Sequence, residues 1–190
     1  MFPLGHLAFA YLWYVAYAVL ARRPLPVRWA LVPLAIGSQL PDLLDKPLAY
    51  GGVLASGRSV GHSLLITALL VGFVSGGAHA LRRRTPAHSR THQLGAVAPA
   101  AFGVGYLSHL VGDSLGPLLA GIHADLTFLL WPVLPAPRYP GDSVAPWMRL
   151  LELYQQPQTH PELSLIVAAL VVFVSLRVWT HLGSAPAVGN

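Results

Sequence analysis

Five apolar runs separated by short polar segments constrain this chain more than any other feature of its sequence. They cover about residues 2–21, 29–40, 62–81, 94–112 and 163–179. A helix needs about 20 apolar residues to cross the hydrocarbon core of a bilayer. Hydrophobic residues make up 54% of the chain and charged residues only 10%, which is typical of membrane proteins rather than soluble domains. We therefore predict an all-α integral membrane bundle of about five spans.

The length of 190 residues suits one helical domain, which we predict over residues 1–182, followed by a frayed tail over 183–190. Between the fourth and fifth runs, the chain is rich in proline and glycine and contains one apolar stretch at 126–134. This stretch is too short to cross a bilayer. We expect it to form a re-entrant or interfacial helix in the outer loop, anchored by Trp131.

The positively charged residues predict the orientation of the chain. Of its 12 Lys and Arg residues, eight fall after the first and third runs or within the last one, and four fall on the opposite side. Because cytoplasmic loops carry an excess of Lys and Arg, we expect a multi-pass protein of the cell membrane with its N-terminus outside. The net charge of +5 is concentrated in these loops, so it does not indicate binding to nucleic acid.

Short polar signatures mark one end of each of the first four runs. Because alternate ends of consecutive spans share one side of the membrane, these ends should meet, and the N-terminus-out topology places them on the extracytoplasmic face. The signatures contain seven residues suited to chemistry, namely His6, Asp42, Asp45, Arg58, His62, His109 and Asp113.

Several of these residues have the spacing of metal ligands. His109 and Asp113 lie four positions apart on one helical face, so they could share one divalent ion, or the Asp could orient a ligating His. Asp42 and Asp45 could chelate or bridge metals with hard oxygen ligands. A stabilising His-Asp hydrogen bond and a solvated Pro-Asp turn are the structural alternatives. The chain has no cysteine, so ligands must come from imidazole, carboxylate, hydroxyl or backbone oxygen.

Arg58 precedes His62 by four residues in a stretch rich in Ser and Gly. Its guanidinium could hold an anionic oxygen in a bidentate clamp, or it could extend toward lipid phosphates. By itself, His6 is weak evidence for a metal site. It becomes a candidate because it is expected on the same side of the membrane as the other six residues.

At these signatures the sequence resembles the YdjM-like family of membrane-bound metal-dependent hydrolases, also described as LexA-binding and associated with the inner membrane. The resemblance extends from Gly5-His6-Leu7 to Leu130-Trp131-Pro132. It implies a small multi-span protein that binds a divalent metal, with zinc as the first choice. The chain departs from the common family pattern at Lys46 and Gly57, where many members carry a possible ligand.

The resemblance implies that the matching motif positions are the site residues. The predicted metal ligands are His6, Asp42, Asp45, His62, His109 and Asp113, and the predicted catalytic residues are Asp42, Asp45 and Arg58. In this interpretation the metal acidifies water and polarises the substrate, an unligated Asp acts as general base, and Arg58 stabilises developing negative charge.

The predicted function is metal-dependent hydrolysis, and a site at headgroup depth favours a lipid phosphoester or another amphipathic substrate. Two other functions fit the same sequence. One is a non-catalytic membrane protein in which the site holds a structural metal or relays ions or protons. The other is a regulatory partner of a soluble protein, with the basic loop over residues 82–92 as the binding surface.

Overall fold

The computed structural model describes residues 2–23, 28–139 and 162–183, together with positions 142, 144, 145, 147, 148, 151 and 155. Within this part of the chain the helices are joined by turns and loops, and there is no strand. Over residues 2–23, 28–139 and 162–183, five α-helices occur in the order α1 (Pro3–Leu20), α2 (Arg28–Tyr50), α3 (Leu64–Arg84), α4 (Arg90–Leu119) and α5 (Glu162–Gly183).

Four helices of the described chain are long and apolar enough to cross a membrane, namely Pro3–Leu20, Leu64–Arg84, Arg90–Leu119 and Glu162–Thr180. The remaining helix, α2, packs against α1 and α4. The prediction of an all-α membrane bundle with about five spans is therefore confirmed. The assignment of residues 1–182 to a single domain stays a prediction. The predicted tail begins at Gly183, and its remaining residues lie outside the described part of the chain.

The second helix is longer than the apolar run predicted. The run over residues 29–40 predicts a helix that ends before Pro41, because the residue before a proline is pushed away from helical geometry. That boundary is wrong, since α2 continues through Pro33, Pro41 and Pro47 to Tyr50. Membrane helices tolerate internal proline where neighbouring segments compensate for the lost backbone hydrogen bond. This extension keeps the polar end of α2 helical as far as Tyr50.

Two glycines bring α2 and α4 into backbone contact. A Cβ added at Gly37 would lie 2.3 Å from the carbonyl oxygen of Phe102, and one at Gly105 would lie 2.4 Å from that of Leu34. Both distances are too short for any side chain, so the two helices cross where each presents a glycine to the other. Small residues permit such close helix contacts in membranes. Asp42 and His109 lie about one turn beyond this crossing.

Serine residues begin the third and fourth helices. The Ser63 hydroxyl accepts hydrogen bonds from the backbone N–H groups of Leu65 and Ile66, and the Ser89 hydroxyl accepts one from His92. Each bond satisfies a donor that a helix N-terminus leaves unpaired. Ser63 also donates to the carbonyl oxygen of Trp131 at 2.5 Å. This bond ties the start of α3 to the segment that follows α4.

The loop after α4 contains a 3-10 helix over His123–Leu130 rather than the helix predicted at 126–134. It packs against α3 and α4, and Phe128 is its buried residue. With eight residues it cannot cross a bilayer. The 3-10 helix lies beside the polar helix ends and covers that end of the bundle.

Candidate metal centre

All seven residues predicted from the sequence signatures come together at one end of the bundle. His6, Asp45, His62 and His109 are completely buried, and Asp42 and Asp113 are 7% and 4% exposed. The remaining member, Arg58, forms an ion pair with Asp113 across 55 positions of sequence. Because ionisable groups are buried only when they have partners, this density of charge identifies the candidate site.

Four of these residues present ligand atoms to one another. Asp42, His62, His109 and Asp113 each offer one atom, and all four atoms lie within 4.8 Å of one another. The Nε2 atoms of His62 and His109 are 3.2 Å apart. Asp42 Oδ1 is 3.5 Å from each of these nitrogens, and Asp113 Oδ2 is 3.4 Å from the nitrogen of His62 and 4.0 Å from that of His109.

Four of these separations, from 3.2 to 3.5 Å, agree with those of a small coordination sphere, and the His109–Asp113 separation of 4.0 Å is longer. Zinc bonds of about 2.0–2.2 Å in a tetrahedron place neighbouring ligand atoms roughly 3.3 Å apart. Two imidazoles and two carboxylates also form a chemically suitable donor set for a divalent cation. Asp42 Oδ1 is buried and has no hydrogen-bond partner among the described residues. The residues therefore fit a divalent metal ion in both number and spacing.

Both histidines are held through their Nδ1 atoms. Nδ1 of His109 lies 2.7 Å from the carbonyl oxygen of Ser38, and Nδ1 of His62 lies 2.8 Å from Asp45 Oδ2. A carbonyl oxygen and an ionised carboxylate can only accept, so each Nδ1 carries a proton and donates. When both rings are neutral, each Nε2 therefore has a lone pair and no proton. The two Nε2 atoms are 3.2 Å apart, and the repulsion between their lone pairs is relieved when a proton or a cation lies between them.

Asp45 lies behind His62, outside the four-residue group. Its carboxylate accepts backbone N–H bonds from Ser59 at 2.7 Å, Gly61 at 2.8 Å and His62 at 3.3 Å, as well as the bond from the His62 ring. These bonds anchor the loop between α2 and α3 to the end of α2. The assignment of Asp45 as a metal ligand or catalytic residue stays a prediction, and its contacts suit a residue that orients His62.

His6 reaches the cluster from α1 and stacks on His109, with ring centroids 3.8 Å apart and an interplanar angle of 18°. Its Nε2 lies 3.3 Å from Asp113 Oδ1. Both of its ring nitrogens are buried without a hydrogen bond from the described residues. His6 thus lies beside the four-residue group, and its predicted role as a ligand stays a prediction.

Arg58 and its aromatic neighbours form one wall of the site. Its Nε donates to Asp113 Oδ2 at 2.9 Å, and its guanidinium carbon lies 4.7 Å from the ring centroid of Tyr139 and 5.8 Å from that of Phe128. Such stacking favours a guanidinium cation. About a fifth of the side chain, 22%, is exposed, so Arg58 connects the buried cluster with the surroundings.

Lys46 and Gly57, the two positions where the sequence departs from the pattern that it resembles, have specific contacts here. Lys46 Nζ pairs with Asp42 Oδ2, one helical turn away, so it leaves Asp42 Oδ1 to face the histidines. A Cβ at Gly57 would lie 2.7 Å from Asp142 Oδ1, so a larger side chain would displace Asp142. These two positions therefore contribute a cation beside Asp42 and a close loop contact with Asp142.

The electrostatics of the loop residues follow from these neighbours. Burial alone lowers the pKa of His62, but the neighbouring carboxylates of Asp113, Asp42 and Asp45 outweigh it and raise the pKa to about 10. Burial also acts against the charge of Arg58, and Asp113 and Tyr139 outweigh it so that its pKa rises above the usual value. The carboxylates therefore favour positive charge at the centre, as a proton or as a metal ion.

Three contributors were missed from the sequence. The Ser38 carbonyl holds His109, the Tyr106 hydroxyl donates to the Gly61 carbonyl at 2.5 Å, and Tyr139 stacks on Arg58. No sequence pattern marks a backbone carbonyl or a distant loop tyrosine as part of a site. The Asp42–Lys46 pair could have been predicted, because residues four apart on a helix are neighbours.

Membrane-crossing helices around a buried His and Asp cluster define the class as a multi-pass membrane protein with a candidate metal centre. A family model described as YdjM inner membrane protein matches residues 1–183. The chain therefore belongs to the YdjM inner membrane protein family, which confirms the resemblance found from the signatures. This membership agrees with the prediction of a multi-pass protein of the cell membrane.

Other similarities are local. The chain is 38% identical over 76 residues to the heme A synthase of Brucella anthropi, a match that covers 37% of this chain and 21% of that protein. It is 36% identical over 78 residues to the heme A synthase of Brucella ovis, with 38% and 21% covered. The chain thus spans about a fifth of the length of these curated relatives. No solved structure matches the chain.

Proposed function

We propose that this protein is a metal-dependent hydrolase with its site at the outer membrane boundary, acting on a lipid phosphoester or another amphipathic substrate. The observation that carries the proposal is the group of four buried ligand atoms within 4.8 Å of one another. Ligands from α2, α4 and the loop before α3 converge on it, as in metal sites built inside helical bundles.

In the proposal Asp42, His62, His109 and Asp113 hold the divalent ion, with zinc as the first choice. A bound divalent ion supplies Lewis acidity, which polarises a phosphoryl or acyl oxygen of the substrate. Ser38 and Asp45 keep the two imidazoles in the tautomer that directs Nε2 at the ion. They act through the ligands and are positioning groups.

Arg58 is the residue proposed to contact the substrate. Its Nε is used by Asp113, and the rest of its guanidinium provides donors that can hold an anionic oxygen as charge develops there. Lys46 adds a second cation at the same edge, with 23% of its side chain exposed. His6, beside the ligands with both ring nitrogens free of hydrogen bonds from the described residues, is suited to moving a proton or to completing the ligand set.

Elemental analysis of the detergent-purified protein tests the metal site directly. We expect about one divalent ion per chain in the wild type and its loss in His109→Ala and in Asp113→Asn. Asp125→Asn, a carboxylate change outside the cluster, is the matched control and should retain the metal. Equal background levels in all four proteins would contradict the proposal.

A non-catalytic site is the second candidate, and the complete burial of His6, His62 and His109 favours it. A structural metal or a proton relay needs no route for a substrate. Measuring phosphate release from dioleoyl phosphatidic acid by the metal-loaded protein distinguishes the two. Release that is lost in His109→Ala supports the hydrolase, whereas metal binding without turnover on this or other ester substrates supports the structural site.

A further inference from the structure

An apolar groove of about 410 Å³ lies between α1, α2 and α5. Its walls include Leu4, Leu7, Tyr11, Leu31, Ala35 and Ala169. Tyr11 of α1 meets Phe173 of α5 edge to face, with ring centroids 5.9 Å apart. All of its lining side chains are apolar apart from the Tyr11 hydroxyl. Two of the three helices, α1 and α5, are long and apolar enough to cross the membrane, so lipid acyl chains can reach the groove.

One stripe of α2 leads from this groove into the candidate metal centre. Ala35, Gln39, Asp42 and Lys46 are spaced by four, three and four residues, which places them on one helical face. Ala35 lines the groove, and Asp42 belongs to the metal centre. Between them, Gln39 Nε2 donates to the carbonyl oxygen of Pro3 at 3.0 Å and joins α2 to the start of α1. On α1, Leu7 of the groove directly follows His6 of the cluster.

Two partly exposed cations lie near the end of this stripe, Lys46 on α2 and Arg58 in the loop that follows it. Lys46 and Arg58 have 23% and 22% of their side chains exposed, while the carboxylates they pair with are nearly buried. An amphipathic molecule that enters along the stripe would therefore meet apolar walls first and cations next. A glycerophospholipid with a phosphate headgroup has this order of chemistry, with an apolar chain below an anionic head.

We propose that the groove binds one acyl chain of an anionic glycerophospholipid and thereby holds its phosphate at the edge formed by Lys46 and Arg58. The inference rests on the proposed function, because it names the substrate class of the same site. The volume of about 410 Å³ falls within the range of about 300–1,000 Å³ for ligand pockets. The fixed chain then sets the depth and orientation at which the head meets the metal ligands.

Photo-crosslinking tests the inference without requiring turnover. The probe is phosphatidic acid with a diazirine in the middle of one acyl chain, incorporated with the full-length protein into dioleoyl phosphatidylcholine vesicles. We expect adducts to concentrate on residues 4–11 of α1 and 166–173 of α5. Unlabelled dioleoyl phosphatidic acid should compete for these adducts, whereas additional phosphatidylcholine and inorganic phosphate should not. Uniform labelling of the lipid-facing helices, without competition, would overturn the inference.

A matched pair of variants on α5 isolates the groove. Ala169 lines it and is 7% exposed, whereas the neighbouring Ala168 is exposed and does not line it. Ala169→Phe should reduce groove labelling by at least tenfold, and Ala168→Phe should leave it within twofold of the wild type. Ala35→Leu fills the groove from α2 with a smaller change, and thermal melting in detergent verifies that each variant is folded. Unchanged labelling in folded Ala169→Phe and Ala35→Leu would contradict the inference.

The same samples separate failure of the groove from failure of the proposed hydrolase. Competed labelling of the groove without phosphate release supports the lipid site and counts against hydrolysis. The opposite result is phosphate release that stays unchanged in folded Ala169→Phe and Ala35→Leu while the labelling lies elsewhere. This result supports the hydrolase and overturns the proposal that the groove binds the acyl chain.

Discussion

At the scale of single residues, the site depends on which nitrogen of each histidine is engaged. Nδ1 of His62 and Nδ1 of His109 are bound by Asp45 and by the Ser38 carbonyl. Both Nε2 atoms therefore face the carboxylates of Asp42 and Asp113. A carboxylate behind a ligating histidine also fixes its ring orientation and raises its basicity.

Asp45→Asn tests this positioning role. The change removes the negative charge behind His62 and replaces one acceptor oxygen by an amide donor. We expect zinc affinity to fall by about 10–100-fold, the usual effect of losing an outer partner of a ligand, and competition titration with a zinc chelator measures it. Asp125→Asn should bind zinc as the wild type does. Unchanged affinity in Asp45→Asn would show that the loop alone orients His62.

Arg58→Lys tests the residue proposed to contact the substrate. Lysine retains the charge but loses the planar group that pairs with Asp113 and stacks on Tyr139. We expect phosphate release from phosphatidic acid to fall by about 100-fold, typical of losing a donor at a developing anion, while metal content stays unchanged. Arg138→Lys, at an exposed position, is the control. Loss of metal together with activity would indicate that Arg58 only supports the ligands.

At the scale of helices, the crossing of α2 and α4 positions the ligands. Gly37 and Gly105 allow backbone contact between these helices. Asp42 and His109 then approach each other about one turn further along, with His109 Nε2 3.5 Å from Asp42 Oδ1. The continuation of α2 through Pro41 is equally necessary, because it keeps Asp42, Asp45 and Lys46 on a rigid element.

Gly105→Ala should separate these helices. The added methyl would lie 2.4 Å from the Leu34 carbonyl oxygen, and overpacking of this kind costs about 1–3 kcal/mol. We expect a lower melting temperature in detergent and weaker zinc binding. Gly76→Ala is the matched control, because nothing lies within 4 Å of a Cβ there. If both variants melt alike and bind zinc alike, the glycine contact does not position the site.

At the scale of the whole molecule, the predicted orientation places the site on the extracytoplasmic side. The chain has no cysteine, so single cysteines can report the side of each loop. We expect a membrane-impermeant maleimide to label Val133→Cys in intact cells, whereas Ala87→Cys in the basic loop should react only after permeabilisation. Val133 is 82% exposed and Ala87 is also exposed, so both positions can react. The reverse labelling pattern would contradict the orientation.

The membrane class, the helical architecture and the grouping of the polar helix ends all follow from the amino-acid sequence. Apolar runs of spanning length can form only helices or closed barrels in lipid, and alternate helix ends must share a side. The sequence therefore suffices to group His6, Asp42, His62, His109 and Asp113. The ends of the helices were harder to predict from the sequence. Pro41 indicated that α2 ends there, but in the folded bundle the helix continues through it.

The contacts that distinguish the grouped residues from one another depend on how the helices and loops pack. Their spacing along the chain could not show that Asp45 lies behind His62, that a Ser38 carbonyl fixes His109, or that Tyr139 covers Arg58. These contacts depend on how closely α2 and α4 approach and how the loops fold over their ends. Periodicity along one helix determines which side chains share a face, whereas distances between helices follow from packing the whole bundle.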